Sequence, residues 1–288
     1  MRIGLIGAES KHVEYFSTPI NKEQLFGNAR INYIWGGDTT VDRLHSCSSS
    51  SGIEKIAKTP TEVIDASEAV IIVLRDGNMH TEYALECIKK RKPVFIDKPF
   101  TADPSEALQI VRAAEYYGTP FTGGSTLCFL PEIPILQEKF LASSYTEISY
   151  RADPFSPYGG WYFYGSHLTD LFAAICGQNA TAVKANMSKE YVIVDVYYET
   201  VKKLQESREA AKKKVQIYSA PDLPHPVVKM DKSYILNDTT CYTYGLKAFF
   251  EVISSGQSPD AGRLLYSVRL MDAIMKSALS NTIAAIES

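Results

Sequence analysis

Between Arg2 and Thr122, short apolar runs recur with longer mixed segments between them. Arg2–Ile6, Ile31–Trp35, Ala69–Leu74, Val94–Ile96 and Pro120–Thr122 are too short for helices and read as buried strands. The intervening segments carry a helical period instead: within His80–Lys90, Tyr83, Ala84, Cys87 and Ile88 share one face. Pro104–Tyr117 is a second such helix, with Asp103 as its N-cap, Pro104 at the first helical position and Gly118 as its stop. Strands alternating with helices predict a parallel sheet wound on both faces, a first domain over residues 1–122.

From residue 123 the rhythm changes. Tyr145–Ala152 and Tyr191–Glu199 alternate apolar and polar positions, the mark of antiparallel strands with one solvated face. Ser166–Cys176 reads as a helix stopped by Gly177. Thr200–Lys214 reads as a charged helix whose lysines are interleaved with Glu206, Arg208 and Glu209, hence a solvated face. Pro221–Pro226 is irregular, and Tyr244–Ser254 and Gly262–Ile286 form two amphipathic helices. Ser48–Ser51 reads as a loop. The fold class is α/β plus α+β: a doubly wound parallel sheet over 1–122, then an open, mostly antiparallel sheet domain over 123–288.

Composition narrows the classes of function. With 33 acidic against 30 basic side chains and no basic stretch, the chain lacks the electrostatic footprint of a nucleic-acid binder. Its apolar runs fall far short of the roughly 18–20 residues of a membrane helix, and no signal-peptide pattern opens it. Five cysteines, tens of residues apart, form neither a metal knuckle nor a disulfide framework, so a reducing cytoplasm is expected and no metal.

In open parallel sheets, ligands bind beyond the carboxyl ends of the strands. The first strand runs into Gly7-Ala8-Glu9-Ser10-Lys11-His12, where a dinucleotide fingerprint would have glycine at positions 7, 9 and 12; only Gly7 matches. Backbone amides of the turn, with Ser10, Lys11 and His12, suit a pyrophosphate, although an ordinary strand-to-helix turn fits the same residues. The second strand ends at Gly36-Gly37-Asp38, placing Asp38 to accept from a ribose 2'-hydroxyl; with no arginine before Arg43, NAD is favoured over NADP. Arg75, Asp76 and His80 follow the third strand, and Asp97-Lys98-Pro99 ends the fourth, where Pro99 keeps Lys98 out of helical geometry.

His80 through Ala84 to Lys92-Pro-Val-Phe-Ile-Asp97-Lys98-Pro99-Phe100 resembles the core signature of the Gfo/Idh/MocA family of nicotinamide-dependent oxidoreductases, whose usual tripeptide is Glu-Lys-Pro. Gly165-Ser-His167-Leu-Thr-Asp170 is similar to that family's G-x-H-x-x-D at the start of a helix. Phe249–Gly256, Pro259 and Tyr266–Ser277 resemble its closing helices.

The resemblance implies a Rossmann domain, an open sheet domain, NAD as cofactor, a sugar-like or polyol substrate, and a homodimer or homotetramer joined through the sheet faces. Lys98 corresponds to the lysine near nicotinamide and the substrate hydroxyl, and His167 to the general acid/base. Imidazole titrates near neutrality, as proton removal from a secondary alcohol requires. Asp170, three residues on, would share a helical face with His167 and orient it or bind a second hydroxyl. Trp161 and Tyr164, in an aromatic run with Phe155, Tyr158, Tyr162 and Phe163, suit stacking on a sugar face; core packing or a subunit contact accounts for them equally well. Two departures stand out: Glu9 and His12 replace fingerprint glycines, and Phe163 stands where many members have a catalytic aspartate. They leave open a non-catalytic cofactor- or sugar-binding descendant, or cofactor-assisted glycosidic cleavage.

Overall fold

The structure is a computed structural model that describes residues 1–37, 39–199 and 213–287. Asp38 and most of the charged segment expected to be helical, residues 200–212, lie outside the described residues. The chain divides into two compact units: Met1–Thr101, Ser105–Thr126 and Tyr242–Ala261 form one, and Ala102–Pro104, Leu127–Cys241 and Gly262–Ser288 the other.

The first unit is built on β1 (Arg2–Ile6), β2 (Arg30–Trp35), β3 (Lys55–Ile56), β4 (Ala69–Ile72), β5 (Val94–Asp97) and β6 (Phe121–Gly124). They lie in the order β3-β2-β1-β4-β5-β6, every pair parallel. β4, β5 and β6 are buried at every position, as strands covered on both faces must be. The chain leaves β1 toward β2 on one side and later returns to β4 on the other, so the switch point lies at the ends of β1 and β4. Helices α1 (His12–Ser17), α2 (Val41–Ser51), α3 (Pro60–Ala66), α4 (His80–Lys89) and α5 (Pro104–Tyr117) accompany the sheet. The predicted alternation is therefore observed, while α2 corrects the reading of Ser48–Ser51 as a loop. Thr40 caps that helix, and Cys47, Ser48 and Ser51 are its buried face, a stripe of small residues that hydropathy does not register.

The second unit contains α6 (Ile133–Ala142), β7 (Tyr145–Ser149), α7 (Trp161–Cys176), β8 (Ala182–Met187), β9 (Val192–Tyr197), β10 (Lys214–Ser219), β11 (Val227–Lys229) and β12 (Ser233–Ile235). After α8 (Cys241–Ser255) the chain adds α9 (Ala261–Ser280) and β13 (Ala284–Ala285). The sheet order is β12-β11-β7-β10-β9-β8-β13, antiparallel except for the β7–β10 pair. On β9, Val192, Val194 and Val196 are buried while Ile193, Asp195 and Tyr197 stay half-exposed, as the alternation predicts. Lys214 opens a strand, so the expected helix does not extend to it, and the last helix ends at Ser280 rather than Ile286. No helix among the described residues is long and apolar enough to cross a membrane.

One element changes sides relative to the sequence reading. Nearly all of α8 belongs to the first unit, where Phe249 packs edge-on to Phe95, Phe250 stacks on Phe26 at 4.6 Å, and Tyr242 meets Phe16 at 5.2 Å. Aromatic pairing over more than 150 residues of sequence leaves no local signal.

Candidate functional site

The turn after β1 is held from two directions. Gly7 adopts φ +107, and a Cβ there would meet the Leu74 backbone nitrogen at 2.6 Å, so no other residue fits without strain. Gly7 N donates to Trp35 O at 2.9 Å and Ala8 N to Gly36 O at 3.1 Å, stitching the turn to the end of β2. Two guanidiniums take its carbonyls: Arg43 donates to Ala8 O (3.2 Å) and Ser10 O (2.8 Å), and Arg75 to Glu9 O (2.5 Å). Arg43 also forks onto the Glu14 carboxylate at 2.7 and 2.9 Å. Burial pushes that carboxyl up, but the Arg43 bonds outweigh it and hold it below its usual range. Arg43 as a clamp on the turn was not legible in the sequence. Ser10 accepts from His12 N at 3.2 Å, Lys11 is exposed, and Asp76, also exposed, caps the turn over Gly77–Met79 through Asn78.

At the end of β5 sits a buried pair of opposite charge. Asp97 is 2% exposed and Lys98 4%. Burial alone would raise the Asp97 carboxyl, yet His12, bonded through Nδ1, and Lys98 hold it below its ordinary value. Burial pulls Lys98 down to about 8, with Asp97 opposing and Arg75 reinforcing the shift. His12 Nε2 shares a 3.0 Å hydrogen bond with the Tyr242 hydroxyl, 230 residues away. Asp97 is thus buried with His12 as its partner, where the sequence reading expects the cofactor. His80 is likewise corrected. Its ring is fully buried, and Nε2 donates to Leu74 O at 2.9 Å, so it supports the end of β4 from behind. The cause is helical phase: His80, Ala84, Cys87 and Ile88 form the buried stripe of α4.

In the second unit, α7 begins at Trp161, five residues before the expected start, so His167 sits in its second turn. From Trp161 onward only Tyr162, Tyr164 and His167 keep partial exposure. Tyr150 meets the His167 ring nearly edge-on at 5.7 Å, and Tyr164 flanks it at 6.3 Å. Burial pushes the Tyr150 phenol up to about 12. Asp170 is 2% exposed and paired with the buried Arg263 at 3.3 Å, where the sequence reading expects it to orient His167 or bind a hydroxyl. Trp161 is corrected too. Its indole is fully buried and lies against Gly165, four residues on, where a Cβ would collide with the ring. Phe163, 6% exposed, packs between Tyr158 and Tyr164. Among the described residues no cluster of His, Cys, Asp or Glu could hold a metal ion.

Comparison with known proteins bears on the first unit directly. Residues 1–124 match the model of the GFO_IDH_MocA oxidoreductase family, NAD-binding Rossmann fold. This stretch is therefore similar to the Rossmann domain of that family. Within the curated proteins, the inositol 2-dehydrogenase of Mycolicibacterium gilvum is 29% identical over 119 residues, 41% of this chain and 31% of that protein. The myo-inositol 2-dehydrogenase of Thermotoga maritima is 31% identical over 75 residues, 26% of this chain and 22% of that protein. The matched portion therefore spans about a third or less of those relatives. The fold similarity is longer. Scyllo-inositol dehydrogenase from Lactobacillus casei, solved with NAD(H) and scyllo-inositol, superposes with TM-score 0.79 at 12% identity, covering 100% of this chain and 99% of that one. An oxidoreductase from Agrobacterium radiobacter, solved with NAD+, L-tartaric acid and magnesium, gives TM-score 0.76 at 14% identity, covering 99% and 98%.

The donor set at the carboxyl edge of the first sheet fits a dinucleotide. The hydroxyl of Ser10 and the cations of Lys11, Arg75 and Lys98 lie around the switch point, where a pyrophosphate needs donors and positive charge. Where the family's third glycine would stand, His12 fills the space and meets Asp97, one methylene shorter than the family's glutamate.

Proposed function

We propose that the chain is an NAD(H)-dependent oxidoreductase acting on a carbinol carbon of a cyclic polyol or sugar. The observation that carries this reading is Lys98: a buried ammonium drawn down to about 8, at the end of β5 beside the switch point. The inositol dehydrogenases among the relatives support the polyol class. Bound NAD supplies the hydride acceptor. Lys98 stabilises negative charge on the substrate oxygen as its proton leaves. The resemblance gives His167 of the second unit the role of general base, with Tyr164 beside it as a ring for an apolar substrate face. Arg43 is committed to the turn and Glu14, so it does not serve a 2'-phosphate, and NAD is preferred to NADP.

Titration calorimetry with NAD and NADP, followed by NADH absorbance on myo- and scyllo-inositol, tests this. Tighter binding of NAD and reduction on at least one inositol or related sugar are expected. Failure to bind either nucleotide contradicts the reading. Buried Phe163, in place of a carboxylate, favours a second reading in which the fold binds NAD without turnover; NAD binding with no reduction on any polyol would select it.

We also propose a symmetric homodimer through the half-exposed sheet face bearing Tyr145, Glu147, Ile193, Tyr197 and Tyr218. Light scattering at micromolar concentration should give twice the chain mass; a strict monomer contradicts it. A cytoplasmic location suits five cysteines of which none forms a disulfide.

A further inference from the structure

We infer that Glu9 reads the adenosine ribose of the cofactor, accepting from its 2'-hydroxyl and rejecting a 2'-phosphate, an inference that rests on the NAD reading above. Glu9 occupies the position where the dinucleotide fingerprint has its second glycine, and its side chain is turned toward the end of β2. A Cβ placed on Gly37 would collide with Glu9 Oε1 and lie 3.3 Å from its Cδ, so the carboxylate rests directly over that glycine. Gly37 adopts φ +67, and its missing side chain is what admits the carboxylate. The end of the second strand is where an open parallel sheet places the adenosine ribose, and an acidic group there accepts from the 2'-hydroxyl.

The backbone carrying Glu9 is fixed. Arg75 holds its carbonyl, and Arg43 holds the carbonyls on either side. Arg75 and Arg43 thus hold carbonyls of the turn, and the Glu9 carboxylate lies over Gly37. A 2'-phosphate would bring a second anion of charge about −1.5 to −2 against it. The usual sequence signal, an acid at the end of the second strand, would not reveal this, because Glu9 reaches that place from the first turn.

The test compares wild type, Glu9→Gln and Glu9→Asp by calorimetric titration with NAD and with NADP, thermal melts checking that each variant is folded. Glu9→Gln should weaken NAD by roughly 10- to 100-fold, the loss of a charge-assisted hydrogen bond. NADP should not weaken, so the preference narrows. Glu9→Asp, which keeps the charge, should keep the preference for NAD and serves as the readout if Glu9→Gln does not fold. Unchanged affinities in Glu9→Gln, or tighter NAD binding because the carboxylate had been an obstacle, overturn the inference while leaving the NAD reading intact. A wild type that binds neither nucleotide overturns both.

Discussion

Replacing His167 with alanine is expected to lower turnover by about 10²- to 10⁴-fold, the usual contribution of a positioned general base, while NAD affinity stays within error. The split follows from where the side chain sits. His167 is one of the few side chains of α7 that keeps exposure, and the Tyr150 and Tyr164 rings limit the orientations of its imidazole. One turn further, Asp170 is tied to Arg263 and Thr169 to Ser267 at 2.9 Å, so the helix beneath the imidazole is anchored to α9 and tolerates the truncation. The proton acceptor is lost and the scaffold is not. Stopped-flow reduction of NAD on the best polyol separates the two effects. Full activity in His167→Ala rejects the assigned role, and a parallel loss of NAD affinity shows that the side chain does something other than take a proton.

Lys98→Met should act on both chemistry and stability, in opposite directions. Burial draws the ammonium from its ordinary 10.5 to about 8. Below about 8 the folded chain holds a buried charge that the unfolded chain exposes to water, and this costs stability. Between about 8 and 10.5 the unfolded chain binds more protons, so stability rises with pH across that window. The gap corresponds to about 3 kcal/mol. Methionine has similar length and no charge, so the variant should be more stable at neutral pH. The gain should be about 1–2 kcal/mol, because Asp97 loses the Lys98 charge and keeps the His12 hydrogen bond. Turnover should fall by at least about 10²-fold, the scale of a lost oxyanion donor. In the wild type, activity should decline as pH rises through about 8, where the ammonium is lost, and that limb should vanish in the residual activity of Lys98→Met. Urea unfolding and a pH–rate profile check the two halves. A destabilised variant, or a limb near 8 that survives the substitution, contradicts the assignment.

The sequence carried the first unit well because its signals are local. Gly7 and the apolar run before it, or Asp103, Pro104 and Gly118 around α5, each lie within one element. Packing set by helical phase is also present in the sequence, though not in single positions. The buried stripe of α4 already contained His80, and a helix starting at Trp161 puts that indole one turn from Gly165. Partners brought together by tertiary structure left no trace. Nothing near His12 announces Tyr242, nothing near Asp170 announces Arg263, and the arginines that clamp the Gly7 turn come from α2 and the end of β4. Small polar faces are the third class of miss, since the serines of α2 are buried for their size, which a hydropathy pattern does not record.

Whether the chain moves a hydride from a carbinol carbon to NAD can be read from isotope transfer. Myo- and scyllo-inositol deuterated at every carbinol carbon are each incubated with NAD and the full chain, and the nicotinamide product is analysed by mass spectrometry. Reduced cofactor carrying one deuterium per turnover is expected from at least one of the two, together with an inosose, and the signal should be lost in His167→Ala. Cofactor recovered unreduced with both substrates, although NAD is bound, would contradict it.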